Sequence, residues 1–362
     1  MRFPEFSGEW ESTPISTIAD IIGGGTPDTS VDEYWGGNIQ WFTPSEIGKE
    51  KYAYLSDRTI TEAGLKNSSA KLLPQGTVLL STRATIGECS IATAECTTNQ
   101  GFQSLVAKKN NVSSEFLYYI VAKIKREMLR RSCGSTFLEI SANELKKIHA
   151  NIPSKAEQEK LVSLLSLIDQ RIETQRKIIE KYESLIRGLC EQLTRQGTKN
   201  KAINECLDCH TSTLQESTVS GTGEYPVYGA TGVCGYTNFN DVKDDGILII
   251  KDGASVGTTY YARGSYSHIG TLNRLTARKG VNLLYVYYCL KVMNFAPYKT
   301  GLAIPHIYFK DYGKHRIWCP SYEEQLHIAN ILTQIDDKIH VEKSLWEQLN
   351  SQKRYMLNQL FI

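Results

Sequence analysis

Residues 153–193 read PSKAEQEKLVSLLSLIDQRIETQRKIIEKYESLIRGLCEQL, and residues 320–360 read PSYEEQLHIANILTQIDDKIHVEKSLWEQLNSQKRYMLNQL. At a constant offset of 167, Pro153 falls on Pro320, Ser154 on Ser321, Glu157 on Glu324, Gln158 on Gln325, Asp169 on Asp336 and Leu193 on Leu360. A register held this long without a gap means that the chain contains one unit twice. Each copy opens on Pro-Ser-x-x-Glu, in which a Ser oxygen and a Glu carboxylate three residues on satisfy the orphan amides of a first helical turn, so each predicts a helix start. From there Leu161, Leu165, Ile168, Ile172, Ile179, Tyr182, Ile186, Leu189 and Leu193 recur in steps of four and three, interrupted at Gln175. The second copy gives Ile328, Leu332, Ile335, Ile339, Trp346, Leu349, Met356 and Leu360, with Glu342 where Gln175 stood and Lys353 at the position of Ile186.

A 3.5-residue period lays an apolar seam along another helix instead of across a globular core. Two equal helices in one chain satisfy each other, so the expected arrangement is an intramolecular antiparallel pair. About 39 residues at a rise of ~1.5 Å make each helix roughly 55–60 Å long. A homodimeric coiled coil is the rival arrangement.

The unit extends upstream more loosely. Gly76-Thr-Val-Leu-Leu and Ala84-Thr-Ile-Gly87 match Gly246-Ile-Leu-Ile-Ile and Ala254-Ser-Val-Gly257 at offset 170, and Tyr118-Tyr119 match Tyr287-Tyr288 at offset 169. Such stepwise changes read as loop deletions within a common fold. They divide the chain into a variable module (1–152), a helix (153–196), a second variable module (197–319) and a second helix (320–362). Short β-rich runs (Thr77-Val-Leu-Leu80, Ile247-Leu-Ile-Ile250, Gly257-Thr-Thr-Tyr-Tyr261) alternate with Gly-punctuated turns. An amphipathic helix around Ser113–Arg131 carries Phe116, Leu117, Ile120, Val121, Ile124 and Met128 on one face. The fold class expected is therefore α/β (α+β), with a small β-sheet in each module.

At 362 residues and 41% apolar content, the chain has material for two ordinary cores. No apolar run approaches the ~18 residues of a membrane span, and the start, from Met1 to Trp10, has acids where a signal peptide would be apolar. A cytoplasmic protein is expected. The nine cysteines are odd in number and scattered, which predicts reduced thiols, not a disulfide scaffold. A net charge of +2 hides an uneven distribution: residues 1–152 hold 16 basic and 17 acidic side chains, residues 197–319 hold 13 and 9. Only the second module is basic.

Motifs for catalysis are mostly missing. Gly23-Gly-Gly-Thr-Pro27 is glycine-rich, but Pro27 and Asp28 do not open a helix with free amides for a phosphate. Neither a G-x-x-x-x-G-K-[ST] loop nor the D/N-P-P-Y/F run of amino-methyltransferases occurs. Cys206-Leu-Asp-Cys209-His210 spells a haem-attachment pattern and half a zinc site, without the export signal or the second ligand pair either needs. Asp241-Val-Lys243 and Asp336-Asp-Lys338 pair an acid with a lysine as metal-dependent nucleases do, yet they read better as a polar turn and a solvated helix face. No catalytic residue and no metal ligand is assigned.

Several short runs point to one family. Gly25-Thr-Pro27, Tyr34-Trp35-Gly36-Gly37, Ile39-Gln-Trp41, Gly87, Asn99-Gln100-Gly101, and Gly134-Ser-Thr136 through Ile140-Ser141 lead into Ile152-Pro153. Together with the two Pro-x-x-x-Glu-Gln helix starts, these resemble the specificity (S) subunit of type I restriction-modification enzymes over nearly the whole chain. The second module opens differently, with Gly223-Glu-Tyr-Pro-Val-Tyr-Gly229 and Ala230-Thr-Gly-Val-Cys-Gly235, and resembles another branch of the same domain family.

The resemblance implies two pseudo-repeated target-recognition domains separated by two long antiparallel coiled-coil helices. It implies a non-catalytic subunit that reads a bipartite, asymmetric target in double-stranded DNA. The implied partners are two copies of an N6-adenine DNA methyltransferase subunit and ATP-dependent restriction subunits. Methyl donor, ATP and magnesium belong to those partners, with no cofactor on this chain. A helix of 55–60 Å matches roughly 16–18 base pairs at ~3.4 Å each, so the unspecified spacer is expected to follow helix length.

Base-reading side chains are expected on loops between the small strands, where Arg forks onto guanine and Asn or Gln onto adenine. The candidates are Thr43, Ser45, Arg83, Thr85, Asn99 and Gln100 in the first module, and Lys251, Ser255, His268, Asn273, Arg274, Lys299 and His306 in the second. Lys123, Arg126, Arg130 and Arg131 are expected to meet phosphate or solvent. The rival function is a stand-alone metal-dependent nuclease with paired DNA-binding arms, centred on Asp241 and Asp336.

Overall fold

The computed structural model describes residues 2–108, 110–134, 138–240, 242–301 and 303–361. Asp241, Ser135 and Thr136 lie outside the described residues. The chain divides into two compact units, Met1–Gln175 with Leu345–Ile362, and Arg176–Ser344. The division falls inside both long helices, Lys155–Thr194 and Tyr322–Leu360, so each unit holds one module and a stretch of each helix.

The serine half of each expected helix start is present. Ser154 Oγ accepts from Glu157 N (3.4 Å) and Ser321 Oγ from Glu324 N (3.3 Å). The glutamate half is not present at the first helix: Arg2 binds both oxygens of Glu157, at 2.8 and 2.7 Å, where Glu157 is only 1% exposed. A buried carboxylate must be paired, and the guanidinium fork does this better than one backbone amide. The next residue makes the tertiary link. Gln158 Nε2 donates to Pro153 O (3.1 Å) and Asn111 O (3.0 Å). Gln325 Nε2 donates to Pro320 O (2.9 Å) while its Oε1 accepts from Asn282 N (2.9 Å). Both mirrored glutamines thus tie a long helix to the chain that opens a module helix, Ser114–Arg131 or Leu283–Lys291. Those module helices are capped by Ser113 and Asn282.

The seam is occupied within the chain. In the first unit Leu161 and Leu165 share a core with Leu360, with Met356 packed against it, and Asp169 pairs with Lys353 at 2.6 Å. One residue number falls as the other rises, so the helices run antiparallel there. In the second unit Ile186 shares a core with Ile328, Leu332 and Ile339, flanked by Tyr182, Leu189, Leu193 and Ile335, and Lys343 pairs with Glu183 at 2.6 Å. Ile168, Ile179 and Leu349 are buried; Ile172 and Trp346 are half-buried. Gln175 and Glu342, which interrupt the apolar pattern, are themselves buried.

The first module has a five-stranded sheet in the order Ala19–Gly23, Gln103–Ala107, Val78–Leu80, Cys89–Ala92, Tyr52–Ala53, and a three-stranded one of Arg58–Ile60, Trp35–Phe42 and Cys96–Thr98. Helix Ser114–Arg131 buries Phe116, Leu117, Ile120, Val121, Ile124 and Met128 against it, each contributing about 1.5–3 kcal/mol. The second module repeats the plan with four strands (Leu207–Thr211, Leu272–Ala277, Gly246–Ile250, Thr259–Ala262) and three (Gly232–Thr237, Tyr225–Gly229, Ser267–His268).

The mirrored tyrosines and aspartates dock each module helix onto a long helix. Tyr119 OH donates to Asp169 (2.6 Å), and Lys51 Nζ donates to Tyr119 OH (3.1 Å) and Ser166 Oγ (2.8 Å). In the second unit Tyr288 OH donates to Thr333 Oγ1 (3.2 Å) and Lys291 holds both oxygens of Asp336 (2.9 and 3.0 Å).

The glycine run serves backbone packing. A Cβ on Gly24 would lie 2.1 Å from Asn99 O, and one on Gly25 2.2 Å from Ser69 Oγ. Gly24→Ala is expected to cost about 1–3 kcal/mol through overpacking, read as a lower Tm in calorimetry; an unchanged Tm would contradict this packing. All nine cysteines are free thiols, and Cys206 is buried in the second unit's core. No helix among the described residues is long and apolar enough to cross a membrane.

Candidate nucleic-acid interface

In the first module the turn after Val78–Leu80 is closed by its own groups. Ser81 N donates to Glu88 O (2.9 Å), Gly87 N to Ser81 O (3.0 Å), Ser81 Oγ to Arg83 O (2.9 Å) and Thr85 Oγ1 to Ser81 Oγ (3.0 Å). Ala84 at its tip has φ +63°, a left-handed conformation that costs a side-chain-bearing residue about 1 kcal/mol. Gly87, at φ +84°, has no such cost, and a Cβ there would lie 2.6 Å from Lys125 Cγ of the module helix.

The chain on either side clamps this turn. Thr82 N donates to Gly101 O (2.9 Å), Ile140 N donates to Thr82 O (3.1 Å), and Arg83 forms a backbone bridge with Glu139. Arg83, Asn99 and Gln100 are thereby brought together, and with Pro44, Ala84 and Gly101 they line a concavity of about 190 Å³. Asn99 Oδ1 accepts from Gly101 N (2.8 Å) and Gln100 Oε1 from Thr26 Oγ1, and neither side-chain NH2 has a partner among the described residues. Thr43 and Ser45 flank Pro44; Ser45 is exposed, whereas Thr43 is bound through N and Oγ1 to Glu46 (2.6 and 2.5 Å). Thr85 is exposed on the same turn as Arg83.

The second module holds the same frame. Ile250 N donates to Thr258 O (3.0 Å), Gly257 N to Ile250 O (2.9 Å), Lys251 N to Thr271 O (3.0 Å) and Ile307 N to Lys251 O (2.9 Å), and Asp252 bridges His306. Gly257 again has a left-handed φ, +92°. Asp252 therefore stands where Arg83 stands in the first module, and its Oδ1 meets His306 Nδ1 at 2.7 Å. This turn is one residue longer, so the offset is 169 at Asp252 and 170 from Ala254 onward; the frame sets Ile250 on Ser81, which corrects by one residue the match of Gly246–Ile250 to Gly76–Leu80 expected at offset 170. Asp252 is not among the candidates drawn from the sequence, although a one-residue gap in the repeat would expose it. Lys251, Ser255 and His306 gather at this turn, and Lys299 adjoins Thr300, which also bridges His306.

Other candidates are placed differently. His268 and Asn273 are buried at 3% and 5% exposure in the second module's sheets and are not on its surface. Arg274 is half-buried, its Nε donating to Tyr266 OH at 3.1 Å. On the first module helix Lys123 and Arg126 are exposed. Arg130 and Arg131 are bound by Glu127, whose carboxyl their hydrogen bonds hold down at about 2, and Arg131 also meets Glu144.

The family model described as "Type I restriction modification DNA specificity domain" matches residues 7–183 and 198–351. The type I restriction enzyme MjaIX specificity subunit of Methanocaldococcus jannaschii is 42% identical over 180 residues, 48% of this chain and 41% of that protein. That match therefore spans less than half of the relative's length. The type I restriction enzyme EcoprrI specificity subunit of Escherichia coli is 24% identical over 360 residues, 91% of this chain and 88% of that one. Among solved structures, the S subunit of a type I restriction-modification system from M. genitalium superposes with a TM-score of 0.66 at 17% identity, covering 100% of this chain and 99% of that one. A chain from a structure of complex assembly and conformational transition of the type I R-M system gives 0.57 at 15% identity, covering 99% and 98%. At such identities these two likenesses concern the fold alone.

Proposed function

The chain belongs to the type I restriction-modification DNA specificity family, and on that premise we propose that it reads a bipartite, asymmetric site in double-stranded DNA, one half-site per module. The observation that carries this is the repeated frame around Thr82–Arg83 and Lys251–Asp252. The same backbone clamp presents an arginine in one module and an acid–imidazole pair in the other. Equivalent platforms with different side chains on them meet different base edges. The surface set for base contact is Arg83, Thr85, Asn99, Gln100 and Ser45 in the first module, and Lys251, Ser255, Lys299 and His306 in the second.

In this reading the chain itself is non-catalytic. It recruits two copies of an N6-adenine methyltransferase subunit and ATP-dependent restriction subunits, which carry the methyl donor, ATP and magnesium, and it acts in the cytoplasm. The nuclease reading gains no support from Asp336, whose carboxylate is held by Lys291. The homodimer reading gains none from the seam, which is covered within the chain.

Deleting the gene is expected to erase one bipartite N6-methyladenine motif from the host genome, read by single-molecule sequencing. An unchanged methylome in a strain with an intact methyltransferase partner would refute the reading.

A further inference from the structure

The second unit contains a concavity of about 350 Å³ where the end of helix Lys155–Thr194 meets the end of helix Leu283–Lys291. Arg195, Lys199 and Arg316 line it together with Tyr298, His315 and Trp318, and no carboxylate is among the lining side chains. Arg195 Nη2 donates to Val292 O (3.0 Å) and Arg316 Nη2 to Asn200 O (2.6 Å). Each guanidinium is thus steadied by one carbonyl, with further N–H groups left over. None of the three cations pairs with a carboxylate among the described residues. His315 Nδ1 is hydrogen-bonded to Tyr298 OH at 2.9 Å, and burial with Lys199 and Arg195 nearby holds its pKa below the ordinary value. The positive charge of the cavity therefore comes from the three long side chains.

The corresponding place in the first unit is built differently. Ile120, Lys123 and Ile124 match Cys289, Val292 and Met293 at offset 169, and His149, Ala150 and Asn151 match Arg316, Ile317 and Trp318 at offset 167. There Phe361 stacks on Phe116 (5.5 Å between ring centres, 17°), Trp10 packs edge-on to Phe361, and Glu127 lines the wall. The first-unit copy is a smaller concavity of about 230 Å³ walled by aromatic rings, with both Lys123 and Glu127 on its lining. The other carries only cations.

Three exposed cations on the lining of one concavity, with no carboxylate among them, give it a positive potential, and guanidinium forks match phosphate geometry. A volume of this size holds a small ligand, and Tyr298 and Trp318 add aromatic wall, with Gly197 lying over one face of the Trp318 ring. We propose that this cavity of the second unit binds a nucleotide phosphate, its charge met by Arg195, Lys199 and Arg316 and its flat portion lying against Tyr298 and Trp318. The phosphate is that of a free mononucleotide. The proposal needs only the cavity's charge and shape and does not rest on which DNA target is read.

The test uses the full-length chain and an Arg195→Gln, Arg316→Gln double variant, with Arg263→Gln as an exposed control in the same unit. AMP, inorganic phosphate and a short random-sequence duplex are titrated by calorimetry, the duplex at several salt concentrations. AMP binding that falls about tenfold or more in the double variant assigns the site to a free nucleotide. No AMP binding at millimolar concentration overturns the proposal, and a duplex salt slope lowered by about two in the double variant then marks these arginines as part of the chain's DNA contact. AMP and duplex binding that match wild type in the double variant, with an unchanged Tm, overturn the proposal. Methylome changes form no part of this test, so its failure leaves the specificity reading standing.

Discussion

Replacing Arg83 with alanine is expected to weaken binding of the modification complex to its target by about 10- to 100-fold, with the loss traced to one position in one half-site. The expectation follows from how the residue is held. Its carbonyl accepts from Ser81 Oγ and from Thr85 N, its backbone bridges Glu139, and the next residue is locked in a left-handed conformation. A side chain leaving so constrained a backbone needs little further ordering to meet a base edge, so the pair it makes keeps most of its energy. Asn99 and Gln100 share the same concavity and are expected to extend the contact to neighbouring bases. Equilibrium binding to target duplexes with single base-pair changes is the measurement. The variant loses discrimination at one base pair of the first half-site and retains it throughout the second. Lysine at position 83 restores charge but not the bidentate fork, and so restores little discrimination. A uniform loss on every duplex would make Arg83 a phosphate contact instead.

Asp169→Ala is expected to destabilise the first unit by about 2–3 kcal/mol, the cost of leaving the buried Tyr119 hydroxyl without its acceptor and the half-buried Lys353 without its counter-charge. Asp169 accepts from Tyr119 OH and pairs with Lys353, at 14% and 21% side-chain exposure for the ion pair. It is also the foremost charge opposing the burial that pushes the Lys51 ammonium down. The mirrored change, Asp336→Ala, is expected to cost only about 1 kcal/mol, because Asp336 and Lys291 are 27% and 33% exposed and water screens the pair. Urea unfolding of the two variants compares them directly. Equal losses would contradict this account. The same pair of proteins separates the nuclease reading, which requires Asp336→Ala to abolish magnesium-dependent cutting and here predicts only a small drop in stability.

Much of this architecture is legible in the amino-acid sequence. The 167-residue register, the seam from Leu161 to Leu193 and from Ile328 to Leu360, and the apolar face from Phe116 to Met128 are periodic signals. Period alone reports which side of an element is buried. The pairing of Tyr119 with Asp169 is half-visible, since both residues repeat in the second copy as Tyr288 and Asp336. Placing Arg83, Asn99 and Gln100 on loops likewise needs only residue type and turn chemistry.

The remainder depends on chain segments that are far apart in sequence. Glu157 has the spacing of half a local cap, and the fold gives it to Arg2, 155 residues away. His268 and Asn273 have the character of loop polar groups, and sheet pairing buries them. Arg130 and Arg131 read as cations for phosphate or solvent; their pairing with Glu127 is a local helical spacing, and the fold adds Glu144 to Arg131 from outside the helix. Asp252 is fixed as the counterpart of Arg83 by the hydrogen bonds of its neighbour Lys251 to Thr271 and Ile307, which show where the one-residue gap in the repeat falls. The amino-acid sequence by itself determined the repeat, the helices and the apolar faces, because those follow from periodicity along the chain. Only the tertiary structure decided which polar groups meet, because a charge or hydrogen bond is satisfied by whatever neighbour packing brings within about 3 Å, and periodicity carries no record of that neighbour.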